Sequence, residues 1–135
     1  MKLEDQVCSV ELAKRFKELG VKQGSYFHWI SPEFSEGFHL YHFDEWEDAA
    51  RQKYETYSAF TVAELGEMLP TSICNGIFKP ICVKNSRGLW WFSYSDESGK
   101  HKKYSVKEQK EADARAKCLL YLIENKLWTV EIGKT

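Results

Sequence analysis

A seven-residue pattern that occurs twice constrains this chain more than any other feature. Glu47, Ala50, Arg51 and Lys53 recur, at identical spacing, as Glu111, Ala114, Arg115 and Lys117. An amphipathic helical stretch leads into each copy, with Glu11-Leu12-Ala13 in the first and Glu64-Leu65-Gly66 in the second. Between each lead-in and its copy lies an aromatic-rich β segment. The chain of 135 residues is short enough for one compact domain. The expected fold is α+β: an antiparallel sheet with helices packed on it, written as a degenerate helix–strands–helix repeat. The first pseudo-repeat is residues 7–57; the second, residues 58–128, has the order α-β-β-β-α.

Local signals fill in the elements. Ser9 is a good N-cap, and Val10, Leu12, Ala13, Phe16 and Leu19 then recur at helical spacing up to Gly20. Residues 26–30 and 38–43 are strand-like and flank a loop, so they are expected to pair as a hairpin. Asp44 is placed to cap a helix over residues 45–54. Thr61 and Glu64 make a capping box for a short helix that Pro70 stops. Residues 81–84 and 89–95 form a second hairpin across Asn85-Ser86-Arg87-Gly88, and residues 101–106 add a third strand. A last helix is expected over residues 107–126, with Leu119, Leu120 and Ile123 buried. Its second half is apolar nearly all round, which calls for a sandwich within the fold, or else a second subunit as in a homodimer.

Charge narrows the partners. Nineteen Lys and Arg face twenty Asp and Glu, for a net charge of −1. No global field holds a polyphosphate, and Glu108, Glu111 and Asp113 interrupt the densest lysine run. The amino terminus lacks the apolar run of a secretory signal, and the apolar run of residues 118–123 is far too short to span a membrane. A cytoplasmic protein with no membrane association is the expectation. Cys8, Cys74, Cys82 and Cys118 show no metal-ligand spacing, so reduced thiols, no metal and no cofactor are expected. Enzymatic chemistry finds nothing better than Cys74 or Cys82 with His101, which no local motif supports; no catalytic residue is assigned.

Two features suit a binding surface. On the strand of residues 89–95, Trp90, Phe92 and Tyr94 share one face, with Leu89 and Trp91 on the other. Burial of both faces is the simpler expectation for a sandwich, whereas a bare ring face would stack unpaired bases. Lys102, Lys103 and Lys107 make the second candidate. The order helix, three strands, helix over residues 61–127 is similar to that of the double-stranded-RNA-binding domain, in which lysines at the start of the last helix contact phosphates. Here, carboxylates share those first turns and oppose phosphate.

The stretches of residues 7–13, 57–70 and 111–117, with the Trp90-Trp91 strand, resemble a group of small, uncharacterised proteins of bacteriophages, prophages and related mobile elements. The resemblance implies a mobile-element origin and the host cytoplasm, and carries no activity with it. The expected function is a non-catalytic accessory protein acting through a macromolecular contact, with a protein partner first. The alternative is nucleic-acid binding through the aromatic strands or the lysine cluster of residues 102–110.

Overall fold

The computed structural model describes residues 2–32, 36–45 and 53–130. Among them are three α-helices, α1 (Val10–Glu18), α2 (Val62–Met68) and α3 (Glu111–Glu124), and six strands. The strands are β1 (Phe27–Ser31), β2 (His39–His42), β3 (Glu55–Ser58), β4 (Lys79–Lys84), β5 (Trp90–Ser95) and β6 (Lys102–Glu108). They form two antiparallel sheets, ordered β2-β1-β3 and β4-β5-β6. The α+β class with antiparallel strands is what the pattern of elements predicts.

The two halves are wired differently. In the first sheet the first strand is central, and in the second the middle strand is. The repeated heptad therefore does not extend to a repeated strand order. Arg51 and most of the helix expected over residues 45–54 lie outside the described residues. Strand β3 has no counterpart among the expected elements, because Glu55-Thr56-Tyr57-Ser58 is too short and too polar to stand out. It forms because β1 is paired on both sides: Trp29 faces Leu40 on one and Tyr57 on the other.

Helix α3 is the hub. Ala112, Ala114, Ala116, Cys118, Leu119, Leu120 and Leu122 are all buried, and the helix packs on β5 and β6 with one side and on α1 and α2 with another. The sandwich is thus internal to the fold. Alanines favour the helix and let neighbours approach closely. The expected start at residue 107 is four residues early, since Tyr104, Val106 and Glu108 alternate with Ser105 and Lys107 and continue β6 through Glu108. Ile123 is half-buried, while Leu122 is wholly buried in its place.

Helix α2 is held by its own cap. Glu64 N–H donates to Thr61 Oγ1 (3.1 Å), and Thr61 N–H donates to Glu64 Oε1 (2.9 Å). The same carboxylate accepts from Ser25 Oγ (2.8 Å) and from the Tyr26 N–H (3.2 Å), just before β1. Ser9, by contrast, caps α1 with no side-chain bond; its N–H donates to Asp113 Oδ1 (2.8 Å) at the start of α3.

Replacing Leu122 by Ala should cost about 2–5 kcal/mol, from lost transfer energy and the cavity left behind. Ile123→Ala should cost less, because that side chain already meets solvent. Urea unfolding of the two variants checks the order, and equal losses would misplace the buried stripe.

Candidate functional site

Period-two alternation sorts the second sheet into two unlike faces. Toward α3 point Phe92 and Tyr94, 2 % and 0 % exposed, with Cys82, Tyr104 and Val106 beside them. Tyr104 stacks on Tyr121 of α3 with ring centres 4.3 Å apart. The Tyr94 hydroxyl donates to the Pro70 carbonyl (2.6 Å), and burial holds its ionisation well above the usual tyrosine range. Trp90 is half-buried against the core, with the Lys84 ammonium 5.6 Å from its ring centre. Of the rings expected to meet a partner, Phe92 and Tyr94 are thus under α3 and out of reach.

The opposite face is open, which corrects the expectation that both faces of this sheet are covered. Ile81 and Val83 of β4 remain 47 % and 45 % exposed, and Ile77, ahead of the strand, 59 %. Beside them on β5 stands Trp91, with Val83 as its direct partner on one side and Lys107 on the other. The Lys102 ammonium lies 3.7 Å from the Trp91 ring centre and that of Lys107 lies 5.2 Å away, both within cation–π range. Trp91 Nε1–H donates to Ser105 Oγ, which fixes the ring along β6. A shift in register between Tyr94 and Ser95 pairs Ser95 with Lys102 and helps bring that lysine over the ring. Ser93 and Ser95 form the floor of a trough of about 200 Å³, walled by Ile81 and Val83 on one side and by Trp91 and Lys102 on the other.

The electrostatics of this face differ from those the linear sequence suggests. Alternation turns Lys107 outward and Glu108 inward, where Glu108 pairs with Lys117 of α3. Glu111 accepts from Arg115 Nε (2.7 Å), and Asp113 accepts from the Ser9 N–H and lies 4.0 Å from Lys110 Nζ. The three carboxylates expected to repel an anion are therefore held on the α3 side. Among the described residues, Lys79, Lys102, Lys103 and Lys107 make no ion pair, and all four are exposed.

Trp91 is the residue that sequence reasoning passed over. Its signal was present: Trp91 and Ser93 on one strand, and Ser105 and Lys107 on the other, share a polar-flanked face, whereas Phe92, Tyr94, Tyr104 and Val106 share an apolar one. The other candidates do not assemble. Cys82 faces α3, with its thiol 3.8 Å from Glu111 Oε2, while His101 stands exposed in the β5–β6 turn, its backbone N–H donating to Asp96 Oδ1. All four cysteines are free thiols. Among the described residues no group of three His, Cys, Asp or Glu side chains could hold a metal ion, and no helix is long and apolar enough to cross a membrane.

Compared with protein-family models, curated proteins and solved structures, the chain has no match in any of the three.

The two faces predict opposite responses to truncation. Trp91→Ala, at a half-buried ring on the solvent side, should cost less than about 2 kcal/mol, whereas Phe92→Ala should cost about 3–5 kcal/mol. Thermal or urea unfolding of both variants decides this, and a large loss at Trp91 would mean that the open face is part of the core.

Burial also pushes the Cys8 and Cys118 thiols up to about 12. An unfolded thiol ionises near about 8.5, so the native state keeps more protons above that pH. This contribution to stability is fully present below the unfolded value and is lost as pH rises toward the folded one. The urea midpoint should fall between about pH 8 and about pH 10.5, and fall less in Cys118→Ala.

Proposed function

We propose that this protein is a non-catalytic binding module whose open β4-β5-β6 face docks an acidic segment of a partner protein. The observation that carries this reading is the pairing of two stripes on one surface. Ile81 and Val83 offer exposed aliphatic area, and Trp91 with Lys102 and Lys107 offers a cationic border, while Asp96 and Glu97 stand at the far end, beyond Ile81 and Ser95. A partner segment would set one large apolar side chain into the Ser93–Ser95 trough and lay its carboxylates against the lysines. Neighbouring β-branched aliphatics offer nothing to a phosphate, and the Trp91 ring is already capped by an ammonium group, so a strand of stacked bases fits less well. A second copy of the chain also fits poorly, since the lysines would meet their own equivalents. The sequence resemblance supports an accessory role in a phage or other mobile element, acting in the host cytoplasm.

A synthetic amphipathic peptide of Glu and Leu is a direct probe, with its Lys-Leu counterpart and a random oligonucleotide as comparisons. The acidic peptide should perturb the NMR signals of residues 81–83, 91–95 and 102–107. Its affinity should fall with salt, and fall further in Lys102→Glu/Lys107→Glu, with the fold retained. Equal binding of the two peptides would remove charge complementarity from the reading. Sub-micromolar oligonucleotide binding at about 0.15 M salt, lost in the double variant, would replace the protein partner with nucleic acid.

A further inference from the structure

A second surface, on the α3 side of the same sheet, has the makings of a ligand site that the open face does not involve. We infer that the cleft between α2 and β4 binds a small apolar monocarboxylate, held by Arg115. The cleft encloses about 220 Å³, with Leu69, Pro70, Pro80 and Phe92 as apolar walls and Thr71 and Arg115 as polar ones. Such a volume lies below that of drug-sized pockets and suits a compact acid.

Arg115 is fixed on three sides. Its Nε–H donates to Glu111 Oε2 (2.7 Å), its guanidinium carbon lies 5.4 Å from the Phe92 ring centre, and α2 passes beside it at Gly66. A Cβ at position 66 would lie only 3.3 Å from Arg115 Nη1, so the absence of a side chain there gives the guanidinium its place. The side chain is only 21 % exposed. Apart from the neighbouring Cys82 thiol, its terminal nitrogens have no hydrogen-bond partner among the described residues. A guanidinium has five N–H donors, and a carboxylate matches its terminal pair in a bidentate fork. Glu111 offsets part of the positive charge, which favours a singly charged anion over phosphate. The apolar walls favour a hydrocarbon body behind the carboxylate. Orientation thus comes from the fork, and selectivity from the walls.

The test is an NMR titration of the full chain with benzoate, alongside benzyl alcohol as its neutral analogue and inorganic phosphate. Benzoate should shift the signals of residues 66–71, 80–82 and 115 saturably, with benzyl alcohol and phosphate binding at least about tenfold more weakly. Arg115→Gln should abolish the difference between benzoate and the alcohol. Because that change also leaves Glu111 without its partner, Gly66→Ala supplies a second variant. It keeps every charge and favours the helix, but crowds Nη1, and should weaken benzoate about tenfold while the rest of the spectrum stays in place. Equal binding of benzoate and benzyl alcohol, tighter binding of phosphate, or unchanged benzoate affinity in Gly66→Ala would overturn the assignment.

Discussion

Seven buried residues on a fourteen-residue helix leave α3 with little surface to give to water, and the rest of the architecture follows from that demand. One side is covered by β5 and β6, another by α1 and α2, so elements from both ends of the sequence meet on it. The alanines at 112, 114 and 116 are what make so many neighbours feasible, since larger side chains would hold them apart. The charged residues at 111, 113 and 115 remain half-buried between the alanines, and each turns to a nearby partner, while the more exposed Lys117 pairs with Glu108 of β6. Their pairing is a consequence of how tightly the helix is enclosed.

That enclosure also explains how a nearly neutral chain acquires a cationic surface. Counting charges along residues 102–113 mixes lysines with carboxylates. The pleat of β6 and the turn into α3 unmix them, sending Lys102 and Lys107 to the open face and Glu108, Glu111 and Asp113 to the helix side. Net charge bears on the whole molecule's field, while a partner meets one face of it.

Fold class was readable from local pattern because the relevant signals are short-range. The Thr61 cap, the hairpin across residues 85–88 and the alanine-rich last helix each depend on neighbours a few positions apart. Strand β3 was not readable, since it owes its existence to pairing with β1 across an intervening hairpin. The same limit applied to the site. Alternation separated Trp91 from Phe92 and Tyr94 at once, but which set faces solvent depends on where α3 lies, a long-range fact. The heptad repeat was visible in the sequence, yet strand order is set by pairing, and the two sheets differ there.

The carboxylate of Glu64 has a consequence that a helix cap alone would not suggest. Its two oxygens close the first turn of α2 and also receive the Ser25 hydroxyl and the Tyr26 amide, thirty-nine and thirty-eight positions away. A motif normally worth a local increment becomes a clasp between the start of the first sheet and the first helix of the second half. Fraying of α2 would then release the entry to β1 as well. Two hydrogen bonds to one carboxylate thus join the halves at a point where their sheets share no strand.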